Sequence, residues 1–600
     1  MAETIGFLIL SAVGVTEIAG FAITATTATI IGTAAILAVS IGLQFLLGQP
    51  AGADLPRGSD GSQALRQPIP NRLFGYGRCR MGGYWMLYEV RNGAFCGVVA
   101  VHSGRICGFV SFYLHDDLAN VVDGIVTGAL GATDGRYAAP AYLDFAIAFS
   151  QRLGLDRETS HYIVGARVPD LWTPNHRGDG IASVAMVCQT PHAEDFSRVF
   201  PQQLPQVSFV GDWLPVFDPR DSAQDRRNVD TLGPCYNPVL QAIDFATSRE
   251  HGLGFDYDIC IAPVLAQLMA EADICDELVL RADGSYEPRY RSSGFWSSQN
   301  DPASTMDAIM SACDGWYAFN GDGTLTIIVG RYRQPTVILK QQNIYGFEVN
   351  GGVEDENFVN ILEWSFTDPA NKYRDAPGMA WRNDADILDR GIARAQTIPL
   401  TWVQSHSQGR RLIKRKYARI NPRLRGNVMT DFAGIEALRE RWVIIQDDRH
   451  PWLGNLAVEI SKVTIDLLAQ ALTFEWISID PNAIDAWDPL EEEGFQPSRG
   501  DDNPTDIIPV PAALSGVYAS GTITLTFDDL LRPDLSYVVQ WRIGAGTWTA
   551  IDAGFGTSDG THTTLAPTGF TSGHTYELQV ASKGSQGTLG DFSASAFVTS

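Results

Sequence analysis

The chain has 600 residues and a formal charge of −25, with 45% apolar, 19% charged and 10% aromatic residues. That length exceeds what one hydrophobic core supports, about 250–300 residues, so several domains are required, and the globular balance excludes wholesale disorder. The acidity excludes a protein that coats nucleic acid, because phosphate neutralisation needs clustered Lys and Arg.

Residues 1–54 form an apolar N-terminal segment, uncharged from Ile18 to Leu47. As a helix this run is long enough to span a bilayer core, for which about 20 residues suffice. Ile18, Gly20, Phe21, Ala25, Ile30, Ile31, Gly32, Ile36, Leu37 and Leu47 are its candidate functional residues. The small residues among them let helices approach closely, which suits either a membrane bundle or a dry plug of identical helices. The flanks carry Glu3, Glu17 and Asp54, with the first basic residue at Arg57, so a secretory leader with a positive start is not expected.

With 58 Gly and 31 Pro beside many β-branched and aromatic residues, the remainder is expected to be mainly β with α+β insertions. Residues 55–116 are assigned to the first part of a β domain. Arg91-Asn92-Gly93 and His102-Ser103-Gly104 punctuate a three-strand meander there. Residues 117–220 are expected to form an inserted α/β subdomain, with a helix near Ala141 to Gln151 and strands at Ile181 to Cys188 and Val207 to Val210.

An α+β region, 221–345, follows. Its helices are expected over Asn237 to Ala246, Pro263 to Ala272 and Pro302 to Cys313, and a turn at Asn320 to Gly323 precedes a strand at Thr324 to Val329. Strands dominate a second β domain, 346–490, and 491–507 is a solvated linker opened by Glu491-Glu492-Glu493. Residues 508–600 carry evenly spaced short strands, the pattern of a small β-sandwich. Trp541 and the late strand Tyr576 to Ala581 resemble a fibronectin type III domain.

Chemistry is sparse. The acid pairs Asp116-Asp117, Asp276-Glu277 and Asp447-Asp448 read as solvated turn residues rather than a glycosidase pair. The ten histidines make no metal-spaced cluster, there is no G-x-S-x-G elbow and no P-loop, and the eight cysteines lack a C-x-x-C pair and read as reduced core thiols. No catalytic residue, cofactor or metal site is therefore expected. One basic cluster stands out, comprising Arg410, Arg411, Lys414, Arg415, Lys416, Arg419, Arg423 and Arg425, the first six of them candidate contact residues. With Tyr417 its one interleaved aromatic, it makes a weak nucleic-acid platform, and it is read as a helix face ion-paired to a neighbouring subunit or partner.

Several segments in order carry a family resemblance. They are Pro68-Ile69-Pro70-Asn71-Arg72-Leu73-Phe74-Gly75-Tyr76-Gly77, Trp172-Thr173-Pro174-Asn175-His176-Arg177 with Gly180-Ile181-Ala182, Phe217-Asp218-Pro219-Arg220, Asn237-Pro238, His251-Gly252-Leu253-Gly254, Asp273-Ile274-Cys275-Asp276-Glu277 and Cys313-Asp314-Gly315-Trp316-Tyr317. Between about Arg66 and Trp487 the sequence resembles the central tail-tip, or host-specificity, proteins of lambda-like siphophages, which are related to the baseplate hub of contractile tails. The resemblance implies a multidomain tail hub with two β-barrel domains per chain, assembled as a homotrimer at the distal tip of the virion's tail. Implied partners are the distal tail ring, the tape measure and tip or fibre proteins, with the host envelope reached through the N-terminal segment. In a trimer, three copies of Ile18 to Leu47 would meet at the axis as a plug.

Family members usually continue into a long receptor-binding fibre. This sequence runs to Ser600 with one sandwich domain, so separate proteins are expected to recognise the receptor. The alternatives are an adhesin acting through the sandwich and a membrane-anchored bacterial protein.

Overall fold

The computed structural model describes residues 60–61, 63–132, 134–353, 358–450, 455–466, 469–496, 509–530, 535–583 and 589–600, together with Glu17–Ile18 and Phe21–Ala22. Glu17–Ile18 and Phe21–Ala22 form a short antiparallel pair. Gly20, Ala25, Ile30, Ile31, Gly32, Ile36, Leu37 and Leu47 lie outside the described residues, and with them the expected apolar helix. No described helix is long and apolar enough to cross a membrane. The architecture is mainly β, built from several sheets, and contacts divide the chain into two compact units, 1–498 and 499–600.

In the first unit nine strands form one antiparallel sheet. Its order is Arg78–Met81, Val207–Asp212, Gly108–Leu114, Asp117–Val122, Ile125–Ala129, Ile147–Leu153, Ile181–Gln189, Ala94–Ser103 and Tyr84–Arg91. Val99, Val101, Leu114, Val184, Met186, Phe209 and Trp213 fill its core. Asn92 and Gly93 both stand at positive φ, 52° and 72°, and join Arg91 to Ala94 in the expected tight hairpin.

The expected turn at His102-Ser103-Gly104 does not make a second hairpin. Ala94–Ser103 is almost wholly buried and pairs with the distant Ile181–Gln189, whereas Gly108–Leu114 pairs with Val207–Asp212. The helix expected near Ala141 to Gln151 is instead the strand Ile147–Leu153, held in register against Ala182 to Cys188. Pairing with a buried neighbour overrides local helix propensity here. The sheet also runs through the expected boundary at 116/117, so the strands of 117–220 complete the first β domain.

Two helices of the α+β region follow the capping chemistry. Pro238–Thr247 starts at Asn237, whose side chain accepts from the Val239 amide, and Pro302–Ser311 starts at Asp301, which accepts from the Ala303 amide; both carry proline where no N–H is needed. With Leu265–Asp276 they bury Val239, Ile243, Phe245, Leu268 and Ile309 against Trp296 and Trp402. The hairpin Trp316–Phe319 with Leu325–Ile328 closes over the expected turn.

A second sheet has six strands, in the order Ile338–Lys340, Trp442–Gln446, Asn455–Asp466, Ala471–Ser478, Leu424–Thr430 and Ile344–Gly351, around Val428, Val458, Phe474 and Trp476. A four-stranded sheet centred on Ile361–Asp368 carries Trp364. The acidic run before the unit boundary is not solvated linker. Pro489–Glu492 is a short helix, Glu492 pairs with Lys414 at 2.5 Å, and the buried Glu493 accepts from the Ala282 amide at 2.8 Å.

The second unit is a β-sandwich. One sheet holds Ser515–Ala519, Thr522–Asp528, His562–Leu565 and Thr557–Ser558, the other Thr549–Gly554, Ser536–Ile543, Thr575–Lys583 and Ala596–Thr599. Ile523, Leu525, Phe527, Val539, Leu578 and Val580 interleave between them. The Tyr576 hydroxyl donates back to the Thr571 carbonyl at 3.0 Å, a corner that ties the late strand to the loop before it.

Candidate functional site: the buried arginine network

Six residues of the basic cluster, Arg410 to Arg419, lie on the helix His406–Ile420, whereas Arg423 follows it and Arg425 falls on the strand Leu424–Thr430. Ser405 caps the helix's start by accepting from the Gln408 amide, Arg and Lys are good helix formers, and Pro422 forbids continuation past Asn421. The helix approaches the Trp364 sheet through Gly409, where a Cβ would meet the indole at 2.1 Å. Arg410, Arg411, Lys414 and Arg415 are consequently buried rather than displayed.

The ion pairs expected with a neighbouring subunit are made within the chain instead. Arg415 donates to Asp314 at 2.7 Å and to Asp485, and Arg419 to Asp314 at 2.7 Å and to Glu459 at 3.0 Å. Arg441, outside the cluster, donates to both acids at 3.1 Å. Arg411 pairs with Glu287 at 2.6 Å, and Arg410 reaches the carbonyls of Glu492 and Met379 at 2.8 and 3.0 Å, lying over Trp381. Of the six on the helix, Lys416 alone makes no hydrogen bond or ion pair among the described residues. The physical reason is cost: a guanidinium taken out of water requires a carboxylate, and the fold supplies one from elsewhere in the same chain.

Electrostatics follow from this packing. Burial pushes Asp314 upward, but Arg419, Arg441 and Arg415 overcome it and hold the carboxyl far below the usual range; Glu459 is likewise lowered against its burial by Arg419 and Arg441. Burial lowers Arg410 to about 10 and also lowers Lys416. Asp314 comes from the α+β region, Glu459 from the second sheet, Arg441 from the bend just before that sheet's strand Trp442–Gln446 and Asp485 from the segment beyond it, so the network is a joint that fixes the first unit's parts together. An open cleft of about 1000 Å³ runs beside it, lined by Trp381, Tyr417, Arg419, Arg423, Leu456 and Ile477.

A second joint gathers sequence segments that lie far apart. The buried Tyr76 hydroxyl donates to Asp244 at 2.6 Å, and His251 Nε2 meets the same carboxylate at 2.8 Å. Ser248 Oγ lies 3.0 Å from His251 Nδ1, which completes a serine, histidine and aspartate chain that sequence reasoning missed. That hydroxyl also caps its turn by accepting from the amides of Glu250 and His251, and the ring packs against Phe74 and Trp296. Nearby, Arg220 binds Asp218, Asp273 and Asp276, and Asn237 donates to Asp276 at 2.9 Å.

Most members of the acid pairs are bound rather than solvated, while Asp448 is exposed as expected. Asp116 holds Arg80 and Arg374, Asp117 holds Arg136, Glu277 holds Arg289 and Arg331, and Asp447 holds Arg449. Among the described residues no group of His, Cys, Asp or Glu has the arrangement to hold a metal ion. Six cysteines are buried, with Cys107 and Cys235 half-buried, and burial pushes the thiols of these two up to about 12.

One carboxyl behaves in the opposite sense to Asp314. Burial raises Asp307, which accepts from the Tyr317 hydroxyl at 2.9 Å, from 3.8 to about 6. A raised pKa stabilises the fold fully below the unfolded value, and that contribution is lost as pH rises through about 6. Asp307→Asn keeps the acceptor without the charge. It is expected to raise the stability of the first unit at pH 7 by up to about 3 kcal/mol and to leave it unchanged near pH 3, read from denaturant midpoints. Equal midpoints at pH 7 would contradict this assignment.

Compared with known proteins, the chain matches no protein-family model and no curated protein. Among solved structures it is similar to a chain in the virion of a native gene transfer agent particle, at 11% identity and a TM-score of 0.47, over 80% of this chain and 97% of that one. A cytokine receptor complex covers 15% of this chain and 49% of its own, at 15% identity and a TM-score of 0.13. A family 76 glycoside hydrolase from a bovine Bacteroides thetaiotaomicron strain also covers 15% of this chain, and 20% of its own, at 14% identity and a TM-score of 0.12. At that level of similarity none of the three assigns the chain a family or a function.

Proposed function

We propose that this chain is a structural component of a phage virion, the hub of the tail tip, which closes the distal end of the tube as a homotrimer. The observation that supports the reading is the spatial convergence of the segments that carry the family resemblance. Tyr76, Arg220, Asn237, His251 and Asp276 come from five of them and meet in one joint region, while Asp314, from a sixth, anchors the arginine network. A scaffold of this kind needs rigid β domains held at fixed angles, and buried ionic joints do that more specifically than apolar contact alone. The two large sheets of the first unit are the surfaces a trimer would turn, six in all, toward a hexameric ring. Ile18 to Leu47 would close the axis and enter the envelope on opening. The sandwich's sheet order and its Tyr576 corner support the fibronectin type III reading.

The test is cryo-electron microscopy of intact particles with three-fold averaging at the tip. Three copies around a closed axis are expected; absence from the tip, or peripheral copies alone, would overturn the hub and favour an adhesin.

A further inference from the structure

A second cleft, of about 440 Å³, lies where Arg78, Tyr236, Arg291, Tyr373 and Trp402 come together in the first unit. Its charges do not cancel. Arg78 grips Asp212 with two hydrogen bonds of 2.8 Å, and Glu287 is bound by Arg411 at 2.6 Å and by the Ser405 hydroxyl at 2.7 Å. Arg291 remains. Its guanidinium lies over the Tyr236 ring, 5.2 Å from the centroid, with no ion pair among the described residues.

One further donor in the same wall lacks a partner: the Tyr373 hydroxyl makes no hydrogen bond among the described residues. Tyr373 is also held against its backbone preference. Lys372 and Tyr373 stand at φ of 57° and 60°, consecutive left-handed residues neither of which is glycine. The Lys372 carbonyl accepts from the buried Arg80 at 3.2 Å and the Tyr373 amide donates to the Asp368 carbonyl at 2.9 Å, so the surroundings impose the conformation.

From this juxtaposition of one uncompensated guanidinium with an unused hydroxyl donor, we infer that the cleft binds a carboxylate, carried by an acidic side chain of a partner polypeptide. A guanidinium fork matches a carboxylate in two parallel hydrogen bonds. A monoanion fits better than a phosphate, because only one positive charge is free and Glu287 lies in the same wall. An acetate would fill only a small part of the volume, whereas an acidic side chain with its backbone would occupy far more of it. That the polypeptide is a neighbouring tail protein rests on the hub reading; the carboxylate chemistry does not.

The test uses the purified full chain and sodium acetate as the probe, with sodium chloride at equal ionic strength as control. Acetate is expected to raise Tm saturably in the wild type, to lose at least ten-fold in affinity with Arg291→Gln, and to weaken with Tyr373→Phe. Crystals soaked in 4-bromobenzoate, whose aryl bromine does not alkylate thiols, should show the bromine by anomalous scattering in the cleft. An equal Tm rise in Arg291→Gln, or bromine only elsewhere, means an adventitious additive only and overturns the site. The peptides acetyl-Gly-Glu-Gly-amide and acetyl-Gly-Gln-Gly-amide distinguish the source. Tighter binding of the glutamate peptide than of acetate supports a polypeptide partner, and its exclusion while acetate binds overturns that part in favour of a free carboxylic acid. A chain that binds no carboxylate yet sits on the three-fold axis of the tip would sink this inference and leave the hub standing.

Discussion

Asp314→Asn is expected to destabilise the first unit by about 3–5 kcal/mol, the cost of leaving buried guanidinium groups with too few carboxylates. The substitution keeps the size and two hydrogen-bonding atoms but removes the charge that Arg415, Arg419 and Arg441 share. Glu459 and Asp485 then face three arginines, and the Arg441 and Glu459 side chains are each only 1% exposed, so water cannot make up the difference. Trp316, Trp442 and Trp476 lie in the adjoining core, and tryptophan fluorescence in denaturant will report the shift. The sandwich has its own core and is expected to unfold in a separate transition, so the comparison uses the first unit's transition alone. The pH dependence supplies a second reading. A carboxyl whose pKa is depressed in the fold stabilises it above the unfolded value and loses that contribution as pH falls toward the folded one. The wild type should therefore lose more stability than Asp314→Asn as pH falls below about 4. A variant with wild-type midpoints at every pH would show that the network is ornamental to stability.

The second large effect is expected from Gly409→Ala, where two principles oppose one another. Alanine is favoured over glycine within a helix by about 1 kcal/mol, which taken alone predicts stabilisation. Here the added methyl would sit 2.1 Å from the Trp364 ring, and the indole cannot retreat because Gly378 backs it, a Cβ there also meeting the ring at 2.1 Å. The Trp364 Nε1 donates to the Met379 carbonyl at 2.8 Å and fixes the ring's position as well. Overpacking costs typically about 1–3 kcal/mol, and a contact this short belongs at or above the top of that range, so the clash wins. The expected outcome is a net loss of about 2 kcal/mol or more in the first unit's transition. A midpoint equal to or above the wild type would mean that the helix can slide on its sheet. Such freedom would weaken the case for the arginine network as a rigid joint.

The sequence reading succeeded where a residue's own backbone or its near neighbours decide the outcome. Asn92-Gly93 makes its hairpin because both positions must take positive φ. Asn237-Pro238 and Asp301-Pro302 open helices because cap and missing N–H act within one turn. It failed where a partner far along the chain decides. Residues 141–151 carry helix-forming alanines, yet Ile147–Leu153 becomes a strand because Ile181–Gln189 presents an open ladder beside it. His102-Ser103-Gly104 has turn chemistry, yet the strands on either side of it take other neighbours.

The candidate site divides along the same line. That Arg410 to Arg419 form one charged helix was legible, since propensity, Ser405 and Pro422 are all local. Their partners were not. Asp314 lies 101 residues from Arg415 and Glu459 lies 40 from Arg419, in elements whose packing no local pattern encodes. The acid pairs at 116–117 and 276–277 looked like solvent-facing turns for the same reason, because the arginines that claim them are distant in sequence. By itself, the sequence determined the class of architecture, the short strands, the capped helices and the separate C-terminal sandwich, all products of steric and hydrogen-bonding preferences within a few residues. Which charges end up buried, and against which carboxylates, only the tertiary structure decided, because desolvation is a property of the assembled core rather than of any segment of the chain.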